Sequence, residues 1–186
     1  MRNFFKYLLL SLVLPLFPGC SSDDDDAEPE NEAAYYFRFK TDNTPVDYVF
    51  TPINLTATFN AYSENEGGYV VQVGARRELA TADKNQFSIH LVHSGEIQKG
   101  IPYSANEEPG QSVPDMLLNF GYYNENGLVY ISSLFGEAAV LFTEVTETSV
   151  KGTFSGRVVA ADTSGGTINI IDEIEITEGS FYVPRF

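Results

Sequence analysis

Leu55, Ala57, Phe59 and Ala61 alternate with Asn54, Thr56, Thr58 and Asn60. Successive side chains of a strand point to opposite faces, whereas a helix repeats every 3.6 residues, so this pattern sorts apolar from polar groups only if the chain is extended. Tyr69, Val71, Val73 and Ala75 repeat it against Gln72, Gly74 and Arg76, and Phe87, Ile89 and Leu91 repeat it against Gln86, Ser88 and His90. Less regular strands are read over residues 35–40, 117–123, 128–133, 138–143, 152–160, 167–176 and 180–183. Turn residues separate them: Asn126-Gly127 is a tight-hairpin dipeptide, Glu66-Gly67-Gly68 and Ser164-Gly165-Gly166 tolerate positive φ, and Pro109-Gly110 breaks a long loop. Turn signals at intervals of about ten residues predict antiparallel hairpins, hence an all-β fold: an antiparallel β-sandwich or β-barrel of about 8–10 strands over residues 35–186.

Two local features qualify this pattern. Ile174 and Ile176 are even-numbered while Phe181 and Val183 are odd, so the inward face shifts by one residue, and a bulge or sharp bend at Glu178-Gly179 restores the phase. Residues 136–148 compete as a short helix through Ala138, Ala139 and Leu141, but Thr143, Val145, Thr146 and Thr148 are β-branched and favour a strand.

The first 19 residues read differently. Arg2 and Lys6 precede an apolar run from Tyr7 to Phe17, then Pro18-Gly19 and Cys20. A basic start, an apolar stretch and a small residue before the cleavage point make a signal peptide over residues 1–19. The run is about half the roughly 20 residues of a transmembrane helix, and Pro15 and Pro18 interrupt it. Cys20, the one cysteine of the chain, directly follows Gly19. That placement resembles the lipobox of bacterial lipoproteins, which implies lipid attachment at Cys20 and a membrane partner through that anchor. Phe17 and Pro18 depart from the family preference for Leu and a small residue.

Ser22, Asp23, Asp24, Asp25 and Asp26 follow closely. They resemble the acidic export tag of Bacteroidota lipoproteins, which implies an outer-membrane protein facing the exterior; the plainer reading is a solvated linker. On either reading residues 20–34 form a disordered tether, because seven acids with no base repel one another and no apolar period appears. Removing residues 1–19 deletes two bases and no acid, taking the net charge from −15 to −17, and the tether's seven acids leave about −10 on residues 35–186. A charge of that sign disfavours nucleic acid, whose affinity for proteins comes largely from Lys and Arg neutralising phosphates.

Val150-Lys-Gly-Thr-Phe-Ser-Gly-Arg-Val-Val and Ile174-Glu-Ile-Thr-Glu-Gly-Ser-Phe-Tyr-Val resemble the closing strands of uncharacterised Bacteroidota lipoprotein families, in which a Gly-Thr-Phe strand precedes an Ile-Thr-x-Gly-x-Phe strand; Gly100-Ile-Pro-Tyr103 resembles a further piece. The resemblance covers about half the domain and implies a β-fold in the envelope, with no activity attached.

Residues suited to chemistry are scarce. His90 and His93, the two histidines, fall on opposite faces of one strand, which argues against a shared metal. Gly152-Thr-Phe-Ser155-Gly156 is one residue too long for a nucleophile elbow, and a lipidated Cys20 is no thiol catalyst. The acids mostly sit beside turn residues; Glu173 and Glu175 share a strand face, but no calcium-loop spacing surrounds them. Tyr62, Tyr122, Tyr123, Tyr130 and Tyr182 are either core aromatics or an exposed recognition face. The sequence is therefore read as a lipid-anchored, non-enzymatic binding or accessory module for a glycan, a small ligand or an envelope protein, with no cofactor, metal or catalytic residue assigned. The alternatives are a glycoside hydrolase using two carboxylates and a lipocalin-like carrier of an apolar ligand.

Overall fold

The apolar positions of the three cleanest alternating segments close over a core made almost wholly of strand side chains. In the computed structural model, which describes residues 35–77, 84–106, 115–133, 136–164 and 166–186, Leu55, Ala57, Val71, Val73, Ala75, Phe87, Ile89 and Leu91 are all buried. The described residues form eleven strands and no helix: β1 Tyr36–Thr41, β2 Thr44–Val49, β3 Leu55–Ser63, β4 Gly68–Arg76, β5 Gln86–His93, β6 Pro102–Asn106, β7 Met116–Tyr123, β8 Val129–Ile131, β9 Glu137–Val145, β10 Ser149–Asp162 and β11 Asn169–Pro184. Within residues 136–148 the chain forms strand β9, Glu137–Val145, and no helix, as the β-branched content favours.

The strands make one antiparallel sheet in the order β2-β1-β11-β10-β8-β7-β5-β4-β3, with β9 and β6 branching from β10. The branch arises because β10 is long enough for two neighbours on one side: residues from Val150 to Arg157 pair with β9, and Val159 pairs with Ile131 of β8. The sheet curls, and Ala57 on β3 makes a parallel bridge to Arg185, just beyond β11. The arrangement is a curled single sheet, not two stacked ones.

Bulges provide the curl. Glu178 has φ +51°, and the pairing of β11 shifts register there against both β1 and β10, so Ile176, Phe181 and Val183 all reach the core. The phase shift read from the sequence is this bulge. A second one lies in β3, where Asn60 has φ +56° and the register slips between Thr58 and Ala61. Ala61, expected to continue the inward row, is exposed as a result. The Asn60 amide uses the bulge to brace a neighbouring loop: it donates to the Ile97 carbonyl at 2.9 Å and accepts the Ile97 N–H at 2.7 Å. Asn126-Gly127 does not make a two-residue turn; residues 124–128 form a longer loop in which the Asn124 side chain accepts the N–H groups of Asn126 and Leu128.

The interior is filled by rings. Phe154 lies 5.0 Å from Phe37, 5.1 Å from Phe87 and 5.8 Å from Phe120, centroid to centroid, and Phe39 stands 4.9 Å from Phe87. Aromatic pairs at these separations attract beyond their area of burial.

Candidate functional site

The polar residues of the alternating pattern face outward on β3, β4, β5 and β7, and the register aligns them in rows. One row runs Thr56, Gly74, Ser88, Gly121, a strip of small side chains. The next, toward one end of the sheet, is Arg76, Gln86, Tyr123; on the other side lie Thr58, Gln72, His90 and Asn119. Because the middle row is low, the rows beside it stand up as walls. The result is an open groove of about 630 Å³, within the range of small-ligand sites. Glycine keeps its floor low: a Cβ at Gly121 would stand 2.9 Å from the Ser88 hydroxyl, and one at Gly74 would stand 3.2 Å from that of Thr56.

Two further segments complete the rim. Asn54 is buried, its Nδ2 donating to the Val49 carbonyl at 2.6 Å and its Oδ1 accepting the Thr51 N–H at 2.6 Å, which fixes the loop carrying Ile53. At the opposite edge of β3, the Arg185 guanidinium donates to the carbonyls of Thr146 and Phe59, and the Phe186 N–H donates to the Ala57 carbonyl at 2.9 Å. Phe186 is thereby held at the groove with its side chain 75% exposed.

Among the described residues the groove wall contains hydroxyls, amides, Tyr123, Phe186 and Ile53, and one ionic group, Arg76. The Arg76 backbone N–H donates to the Asn54 carbonyl at 3.0 Å, while its guanidinium makes no hydrogen bond or ion pair with any other described residue. Among the described residues no Asp or Glu lines it. Shallower depressions of about 410 and 400 Å³ include Glu178, whose carboxylate is occupied by Lys40 at 2.6 Å.

The structure disperses the residues singled out in the sequence. Cys20 and the run Ser22, Asp23, Asp24, Asp25, Asp26 lie outside the described residues, as do Pro109-Gly110 and the tether. His90 and His93 do face opposite ways: His90 Nε2 meets Glu66 on the outer face at 2.9 Å, while His93 packs edge-on to Tyr103 with its Nδ1 2.8 Å from the Gly95 carbonyl oxygen. Glu173 faces outward with its carboxylate on Arg157 at 3.2 Å, an ion pair in place of a calcium ligand pair. The five tyrosines form no common face. Tyr122 and Tyr130 are core residues stacked at 5.9 Å, Tyr62 packs on Tyr69, Tyr182 joins Tyr35 and Tyr36, and Tyr123 alone lines the groove. Register, absent from any single segment, is what assembles the groove.

The core tyrosines do carry an electrostatic signature. Burial holds the phenols of Tyr48, Tyr122 and Tyr130 in their neutral form and raises their titration; at Tyr130 the hydroxyl's 2.6 Å hydrogen bond to Asp172 adds to the effect. Their folded values lie above the unfolded value of about 10, so the stabilisation is fully present below about pH 10 and is lost as pH rises through the folded values. Urea midpoints should therefore stay level on this account up to about pH 9 and fall beyond about pH 10. Phenolate absorbance appearing with no loss of stability would contradict the burial of these hydroxyls.

No family model, curated protein or solved structure matches this chain.

Proposed function

We propose that this protein is a non-enzymatic glycan-binding module tethered to the outer membrane through lipid at Cys20. The observation that carries the binding half is the outward groove of Thr56, Thr58, Gln72, Arg76, Gln86, Ser88 and Tyr123, rich in hydrogen-bonding groups, rimmed by aromatic and aliphatic side chains and, among the described residues, free of carboxylates. A sugar offers hydroxyls to amides and hydroxyls, and its C–H face to rings. A net charge near −10 on the domain disfavours polyanions, which makes a neutral glycan the better fit, with Arg76 donating to its oxygens. The packing of rings such as Phe37, Phe87 and Phe154 in the core supports an outer-face site for the ligand.

Affinity electrophoresis through neutral glucan, mannan and xylan tests this. At least one should retard the parent, and salt should change the retardation little. Ser88→Tyr, which fills the floor of the groove, should abolish it, and Arg76→Ala should weaken it about tenfold, as expected for losing a charge-assisted hydrogen bond. Equal retardation of the parent and both variants would overturn the reading.

The anchoring half rests on Cys20 after the apolar segment and on Asp23 to Asp26 behind it. Cys20→Ala should release the chain from the membrane fraction, since acyl chains contribute about 0.8 kcal/mol per buried CH₂. Replacing Asp23 to Asp26 by Ala should leave it in the membrane but shielded from protease added to intact cells. An unchanged distribution in either variant refutes the corresponding half of the anchoring account.

A further inference from the structure

The hairpin of β10 and β11 runs past the strand beside it. β11 pairs with β1 as far as Thr41↔Ile176, and the β1–β2 turn at Asp42-Asn43 makes the last contacts: the Asp42 N–H donates to the Glu175 carbonyl at 3.2 Å, and Asp42 Oδ1 accepts the Glu175 N–H at 3.1 Å. Beyond it, from Asn169 to Ile174, β11 pairs with β10 alone among the described residues. The open edge is six residues long, about 20 Å at the usual rise of a strand. The Glu173 N–H, two residues before the Glu175 N–H that faces β1, donates to the neighbouring Asp172 carboxylate at 2.9 Å.

Edges of this length are ordinarily blunted by Lys, by Pro or by a covering segment. From Thr167 to Glu175 there is neither Lys nor Pro. Instead Ile168, Ile170 and Ile171 are 48%, 49% and 57% exposed, a concentration of bare β-branched side chains at one tip of the fold. The bulge at Ile171, between the Ala160 and Ala161 pairings, is the one irregularity along the edge.

The charge around the edge selects the occupant. Asp42, Asp162, Asp172, Glu173 and Glu175 lie on or beside it. The nearest bases are engaged: Arg157 lies between Glu173 at 3.2 Å and Glu137 at 3.7 Å, and Lys40 holds Glu178. A second copy of this chain would bring the same acids against one another. A strand with apolar and basic side chains in alternation would instead match both the isoleucines and the carboxylates while its backbone completes the ladder. We propose that residues 169–174 are a strand-addition site for a basic extended segment of a protein partner. This surface is independent of the groove.

The test uses the full chain with two octapeptide probes, alternating Val with Lys and alternating Val with Glu. The Val–Lys peptide should bind, bind more weakly as salt rises, and slow hydrogen exchange at amides of residues 169–174, Glu173 among them. Glu175→Lys, an exposed substitution, should weaken that binding about tenfold while leaving the melting temperature unchanged. Glu173→Pro, which removes an outward N–H, should remove the protection. Equal binding of both peptides, protection elsewhere in the sheet, or self-association through residues 169–174 that the Val–Lys peptide does not compete away would each overturn the proposal.

Discussion

Phe154→Ala should lower stability by about 3–5 kcal/mol, the range for emptying a buried aromatic site. Its ring is 4% exposed and meets Phe37, Phe39, Phe87, Phe120 and Phe181 with centroids 5.0 to 6.2 Å away. The neighbours come from β1, β5, β7 and β11, so the lost ring leaves four strands facing one void, and their backbones are tied into a single sheet that cannot collapse inward at one point. For a chain of this size the loss corresponds to about 6–20 °C in melting temperature. A shift of under about 2 °C would mean that the interior accommodates the void, and that the ring cluster is not what holds the curled sheet together.

Gly156→Val should cost about 1–3 kcal/mol, at or above the upper end, because of where a side chain would go. A Cβ there would stand 2.2 Å from the Glu137 carbonyl oxygen and 3.1 Å from the Ala138 Cα, both backbone atoms of the paired strand β9. No rotamer relieves a backbone clash, so β9 must separate from β10 at the point where the pairing of β10 with β11 also shifts register. Gly100→Ala is the control: φ is +80° and nothing lies within 4 Å of the added methyl, which leaves only the left-handed backbone penalty of about 1–2 kcal/mol. Urea denaturation of both variants should place Gly156→Val below Gly100→Ala; the reverse order would contradict the close approach of β9 and β10.

How far each feature could be read depended on whether it was written along the chain or across it. β4 and β5 were legible because, apart from the buried outer pair Val70 and Val92, one face is buried and the other wetter, so Val71, Val73, Phe87, Ile89 and Leu91 declare themselves. The Glu178 bulge was legible for the same reason, since a break in parity between Ile176 and Phe181 has no other remedy within one strand. Strand β2, Thr44–Val49, passed unnoticed because it is an edge strand with Pro45 and a single buried residue, Tyr48. So did β6, a short strand that pairs only with β9. Ala61 was misplaced because nothing in Phe59-Asn60-Ala61 announces that Asn60 takes a positive φ.

The groove was hidden for a deeper reason. Thr56, Gly74, Ser88 and Gly121 each read as the unremarkable outer face of a strand, and only the register that sets them side by side turns four small residues into a floor between walls of Arg76, Gln86, Tyr123 and Gln72. The free edge of β11 was hidden likewise, because its length is set by where β1 turns.

The central claim is that the ligand sits on the outer face of β3, β4, β5 and β7, and backbone amide shifts tested during titration with the neutral polysaccharide fragment retained in the gel would examine it most directly. The account predicts that the largest shifts fall on Thr56, Thr58, Gln72, Gly74, Arg76, Gln86, Ser88 and Tyr123, with Phe37, Phe87 and Phe154 unmoved in the core. Shifts centred on the core rings, or on the depression beside Glu178, with the groove silent would contradict it.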